Sequence, residues 1–386
     1  METKLNHNEE QLSETAQLLD RSDFPAILTA LAEDGYEIIA PVRRDGAIIY
    51  DTIDSIEDLP AGWSDTQSAG AYRLERRNDK ALFGYAVGPH SWKKYLHPPE
   101  RVLWRASKQN GALAIEKEPE DTTKRAFLGV RACEIAAIDI QNQVFVNGPY
   151  KGGDYESRRK NTLLIAVNCA APAETCFCAS MNTGPEVKTG FDIVLTELVT
   201  PQSHEFLIKS GSALGAKIME RLPLRKAAPK HEAAASTVTE KARQSITRKL
   251  DTQDLQELLQ DNPNHPQWDD VASRCLSCTN CTAVCPTCFC TTVEDHTDLA
   301  GKSAERIQRW DSCFSGAFSE LSGGPVRQST KSRYRQWMTH KLSTWIDQFG
   351  TSGCVGCGRC IAWCPVGIDI TAEAAAIRGD SEEEMS

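Results

Sequence analysis

Apolar and polar positions follow two unlike styles along the chain. Through residues 21–225, short apolar runs of strand length alternate with a few helical stretches. Ser22-Asp23-Phe24-Pro25 reads as a helix start with proline in the first turn, leading into Ile27–Ala32 and stopped by Gly35. Tyr36–Val42 and Ala47–Thr52 predict two strands joined through Arg43-Arg44-Asp45-Gly46. Further short strands are expected at Ala71–Leu74, Leu82–Val87 and Arg101–Arg105. Phe127–Val130 is a strand feeding a helix over Arg131–Val144, while Thr162–Val167 and Phe191–Leu195 have the continuous apolar character of buried strands. Residues 21–225 therefore read as an α/β domain behind a polar lead-in, residues 1–20.

Beyond it the pattern changes. An Ala-, Lys- and Pro-rich stretch from Pro223 to Ser236 reads as a linker, placed at 226–237. A helix is expected from Thr239 to Leu259, broken by Asn262-Pro263-Asn264-His265-Pro266. Residues 238–375 lack long alternating strands and read as mostly helical, with an inserted helical segment at 291–350. Residues 376–386 form a solvated acidic tail.

Composition narrows the class. The 386 residues, 40% hydrophobic and 25% charged, suffice for two or three domains. A net charge of −10 argues against a nucleic-acid binder. Met1–Glu10 is polar and unlike a signal peptide, and no apolar run approaches the roughly 20 residues of a membrane helix. A cytoplasmic protein is expected, so its fifteen cysteines read as metal ligands rather than disulfides.

Those cysteines carry the chemistry. Cys275-Leu-Ser-Cys278-Thr-Asn-Cys281-Thr-Ala-Val-Cys285-Pro286 and Cys354-Val-Gly-Cys357-Gly-Arg-Cys360-Ile-Ala-Trp-Cys364-Pro365 both have the C-x2-C-x2-C-x3-C-P spacing of two-cluster iron–sulfur proteins. Three thiolates on a tight loop take three corners of a cubane, and the fourth, before the proline, crosses to the neighbouring cluster. One 4Fe–4S cluster is thus expected on Cys275, Cys278, Cys281 and Cys364, and a second on Cys354, Cys357, Cys360 and Cys285. The fold class expected is α+β multidomain: an N-terminal α/β domain followed by a mostly helical two-cluster ferredoxin-like domain. Gly356 and Gly358 are expected to bring backbone N–H groups to the second cluster.

Seven cysteines lie outside the runs. Cys133, Cys169, Cys176 and Cys178 fall at ends of helices and strands in the first domain, and a third 4Fe–4S cluster is expected on them. The tight C-x-C spacing leaves open that Cys178 is a bystander. Cys288, Cys290 and Cys313 read as packing beside a cluster rather than as ligands. Residues 302–341 hold eight Lys and Arg against three acidic residues, either a solvated helix face or cations that raise a cluster's potential. No G-x-G-x-x-G, Walker A, G-x-S-x-G or H-E-x-x-H sequence is present, and no catalytic residue is expected.

The segments Gly129-Val-Arg-Ala-Cys133-Glu134, Asn168-Cys169, Cys176-Phe-Cys178, His265-Pro-Gln-Trp-Asp269, Cys285-Pro-Thr-Cys288-Phe-Cys290, Arg309-Trp-Asp-Ser-Cys313 and Cys354–Cys360 resemble the β subunit of cytoplasmic sulfhydrogenases. These belong to the NAD(P)-linked nickel–iron hydrogenases, and the A subunit of anaerobic sulfite reductase is in the same family. The resemblance spans about residues 80–370, with Glu134 standing where the family is expected to have aspartate. It implies a non-catalytic electron-transfer subunit between a flavin- and NAD(P)-binding subunit and a catalytic hydrogenase or sulfite reductase subunit. Two other readings stand beside it: a sulfur- or disulfide-reducing module using the CFC thiols, and a binding protein in which the clusters are structural pins.

Overall fold

The computed structural model describes residues 16–109 and 112–379. The tail read at 376–386 begins later than expected, since residues 376–378 close a helix that buries Ile377; its residues from 380, and the lead-in before residue 16, lie outside the described residues. Strand β1 (Gln17–Asp20) already belongs to the main sheet, so the lead-in is shorter than the polar pattern implies. Helix α1 (Pro25–Glu33) starts on its proline and buries Ile27, Leu28, Ala30 and Leu31. Strands β2 (Glu37–Arg44) and β3 (Ala47–Thr52) form the expected hairpin. Asp45 and Gly46 both take positive φ, 51° and 76°, which matches the twist of a two-residue hairpin loop.

A second hairpin, β4 (Trp63–Ser68) and β5 (Ala71–Arg76), precedes the short helix α2 (Lys93–Leu96) and a long hairpin, β6 (Glu100–Gln109) and β7 (Ala112–Lys117). Then come β8 (Arg125–Val130), α3 (Ala132–Phe145), α4 (Gly153–Lys160), β9 (Thr162–Val167), β10 (Ile193–Val199), β11 (His204–Ser210), α5 (Ala213–Met219) and β12 (Arg225–Lys226). The eight-stranded sheet runs β12-β1-β11-β10-β9-β8-β2-β3. Its central strands β10, β9, β8 and β2 are parallel, with antiparallel pairs on both sides. All six residues of β9 are buried, as a strand covered on both faces requires.

Leu82–Val87 is not a strand. It is a buried irregular segment whose Leu82 and Phe83 N–H groups donate to the Glu197 carboxylate at 2.6 and 2.9 Å. A side chain satisfies the backbone where the sequence suggested a ladder.

The C-terminal part comprises α6 (Pro229–Ser245), α7 (Leu255–Asp261), α8 (Gln267–Arg274), α9 (Asn280–Ala283), β13 (Thr291–Thr297), β14 (Ser303–Trp310), α10 (Thr330–Thr339), α11 (Trp345–Phe349), α12 (Arg359–Ala362) and α13 (Ile370–Arg378). Two expectations are corrected here. The stretch read as a linker is mostly helix: Pro229 occupies the first turn of α6, and Ala235 packs with Leu198 and Leu207 of the sheet. An alanine-rich run is a strong helix former, and that outweighs its lack of bulky side chains. The expected helix over 239–259 is accordingly interrupted between α6 and α7.

The segment at 291–350 is only partly helical. Its β13–β14 hairpin pairs through β14 with β6, completing a four-stranded sheet β13-β14-β6-β7. Strand pairing between distant segments leaves no local periodicity to read. The N- and C-terminal parts are therefore interlocked, by this sheet and by Phe177, which packs in the core of the helical region.

Candidate metal centres

The two cysteine runs fold alike. After Cys275 the chain takes positive φ at Ser277 (51°) and Thr279 (66°), and after Cys354 at Gly356 (64°) and Gly358 (73°), the same places in each run. One-turn helices follow, α9 and α12. The Ser277 N–H donates to Cys275 Sγ at 3.4 Å, and the Gly356 N–H donates to Cys354 Sγ at 3.4 Å. Such left-handed corners aim successive N–H groups inward, a cradle suited to an anion.

Serine and threonine tolerate this conformation in the first run, so φ alone does not demand glycine in the second. Packing does. A Cβ on Gly356 would meet the backbone of Phe177 and Cys178 at 2.6–2.7 Å, and one on Gly358 would meet Thr175 O at 2.3 Å. The first CFC segment lies directly on the second run, with the Phe177 N–H donating to Gly356 O at 2.8 Å.

The thiols gather in distinct spaces. Cys275, Cys278, Cys281 and Cys364 line one cavity, and Cys360 of the other run contributes to its wall. Cys354, Cys357 and Cys360 lie close enough to Cys285 for its charge to act on each of them. In the first part of the chain, Cys178 acts on both Cys133 and Cys176, and Cys169 acts on Cys176 and Cys178. Among the described residues, no group of three or more His, Cys, Asp or Glu side chains is arranged to hold a single metal ion. The all-thiol donor sets suit soft sulfur ligation, and the first of them lines a cavity.

Burial pushes the Cys354 and Cys178 thiols up to about 12, so ligation must supply the positive charge that makes thiolates acceptable there. Cys285 goes the other way. A hydrogen bond with Cys288 holds it well below the ordinary thiol range, and the Lys341 ammonium, 3.2 Å from its sulfur, adds to this against the effect of burial.

A buried polar hub joins the second run to α3. The Arg359 guanidinium bonds Glu134 Oε1 at 2.5 Å, with the two side chains 6% and 1% exposed. Glu134 Oε2 accepts from the Tyr50 hydroxyl at 2.5 Å, Trp92 Nε1 at 3.0 Å and the Arg131 N–H at 3.2 Å. Glu134→Ala removes the only carboxylate paired with the buried guanidinium among the described residues, whose Nε keeps Gly88 O, and leaves the Tyr50 and Trp92 donors without an acceptor; it should cost about 3–5 kcal/mol, read by denaturant unfolding. A change within about 0.5 kcal/mol would contradict this account of the hub.

Sequence reasoning left several of these groups unplaced. Arg131 lies near Cys169, where its charge opposes the upward push of burial. Lys93 and Lys341 are buried near the second run's partners. Lys341 had a readable signal: with Tyr334, Trp337 and Met338 it falls on the buried stripe of α10 and its continuation. Lys93 had none.

Comparison with known proteins follows this geometry. Residues 274–368 match the family described as "4Fe-4S dicluster domain". The chain is 28% identical over 349 residues to a protein of Pyrococcus furiosus named sulfhydrogenase 2 subunit beta, covering 90% of this chain and 93% of that one. No solved structure matches. No helix among the described residues is long and apolar enough to cross a membrane. The chain carries a 4Fe–4S dicluster domain over residues 274–368 and is similar along most of its length to a sulfhydrogenase β subunit.

Proposed function

We propose that the chain is the relay subunit of a cytoplasmic oxidoreductase complex, passing electrons between a flavin- and NAD(P)-binding subunit and a nickel–iron hydrogenase catalytic subunit. The observation that carries this reading is the matched pair of cysteine loops, whose thiol sets meet at the wall formed by Cys360. Cys275, Cys278, Cys281 and Cys364 hold one cubane; Cys354, Cys357, Cys360 and Cys285 hold the other. A cluster bound there would supply one-electron redox chemistry. The chain's own part is to fix the two clusters side by side, exclude water with the aromatic wall of Phe314, Tyr334 and Trp337, and present N–H groups to the sulfurs. Cys133, Cys169, Cys176 and Cys178 hold a third cluster against the second run and extend the relay toward the large sheet.

Burial argues against the CFC thiols as reducing nucleophiles. A reactive cysteine needs a lowered pKa and access, whereas burial raises Cys176 and Cys178. The test is electron entry. The isolated chain should be reduced by dithionite but not by NAD(P)H or hydrogen, and in the co-purified complex NAD(P)H should reduce it. Turnover of either substrate by the isolated chain would contradict the relay. A sirohaem protein co-purifying in place of a hydrogenase would select the sulfite reductase partner.

A further inference from the structure

Two buried lysines lie near cysteine sulfur, and neither forms an ion pair with a carboxylate among the described residues. Lys341, 3% exposed, places its Nζ 3.2 Å from Cys285 Sγ and 3.5 Å from Cys288 Sγ, with Thr287 Oγ1 and Gly353 O as its other partners. Lys93, 4% exposed, donates to the carbonyls of Thr282 and Ala283 at 3.4 Å and lies 3.9 Å over the Trp310 ring. Two ammonium groups taken out of water are costly unless an anion lies beside them. Cys285, read as a ligand of the second run, supplies one sulfur. One thiolate does not balance two buried ammonium groups, and Cys288 also lies near both.

Three further cysteines converge beside these lysines. Cys290 and Asp311 close the base of the β13–β14 hairpin, with the Asp311 N–H donating to Cys290 O at 2.9 Å. Two residues on is Cys313, held by Ser312, whose Oγ accepts from the Thr282 hydroxyl at 2.8 Å. Cys290 is near enough to Cys313 for its charge to act there; Cys288 and Cys290 both act on Lys93, and Lys341 acts on all three thiols. The hairpin that sequence periodicity failed to show is what brings Cys313 back to the second CFC segment.

We propose that Cys288, Cys290 and Cys313 hold an additional iron–sulfur cluster, with Lys93 and Lys341 as the buried cations that offset its negative charge. The Asp311 carboxylate, beside Cys290, is available for a fourth corner. The site adjoins a proposed ligand of each dicluster centre: Cys288 interacts with Cys285, and Cys313 acts on Cys281. It thus deepens the relay reading, on which it rests, by giving electrons a branch point beside Cys281 and Cys285.

The test uses the full chain, reconstituted anaerobically with ferrous iron and sulfide. Cys288→Ser/Cys290→Ser/Cys313→Ser should bind about four fewer irons and four fewer sulfides than the parent and lose one reduced-state EPR signal, while the dicluster signals persist. An iron content equal to the parent's would overturn the proposal, as would zinc occupying the site in reconstituted protein. Should the triple variant fail to fold, Cys313→Ser alone decides the matter: an altered cluster signal supports the site, and a spectrum and iron count matching the parent's overturn it. Failure of the wider relay reading looks different, since the parent itself would then bind no redox-active iron.

Discussion

Cys364→Ala is expected to destroy the cluster held by Cys275, Cys278 and Cys281, and to spare the one held by Cys354, Cys357 and Cys360. The variant should lose up to about four irons, and its remaining signals should match those of Cys278→Ala rather than Cys357→Ala. Cys364 follows α12 and lines the same cavity as the three thiols of the first run, far from it in sequence. Cys285, the equivalent residue of the first run, instead acts on all three thiols of the second. Cys285→Ala should therefore damage the second run's cluster. If each variant instead harmed the cluster of its own run, the crossed ligation would be wrong.

Cys133→Ser/Cys176→Ser in the full chain should bind about four fewer irons than the parent and keep both dicluster signals. Three thiols from α3, the end of β9 and the following loop gather around Cys178, which acts on Cys133 and Cys176 and is acted on by Cys169. The tight spacing made Cys178 a candidate bystander, but its central place favours ligation. A Cβ on Gly184 would come within 3.0 Å of its sulfur, so the loop keeps a bare backbone there. Unchanged iron in a well-folded variant would make these thiols structural.

How much of this was legible varied with the range of the interaction. The β2–β3 hairpin was readable because Asp45-Gly46 encodes its own turn, and β9 because its burial is written in six apolar residues. The two cysteine runs were readable because cluster spacing is local. The β6–β14 pairing was not: Arg101–Arg105 looked like a strand, but nothing in it named a partner some two hundred positions later. The same blindness hid the Glu134–Arg359 pair, in which each charge looks like an ordinary surface residue until the other is brought to it. It hid the convergence of Cys313 on Cys290 as well. The alanine-rich linker failed for another reason, since scarcity of bulky side chains was weighed above helix propensity and the first-turn position of Pro229.

The most direct test is EPR-monitored redox titration of the purified full-length chain under anaerobic conditions. The relay account predicts dithionite-reduced 4Fe–4S signals whose line shapes reveal magnetic coupling between neighbouring clusters, as expected for thiol sets that share the wall at Cys360. Fully reconstituted protein with no reducible cluster signal, or with zinc in place of iron, would contradict it.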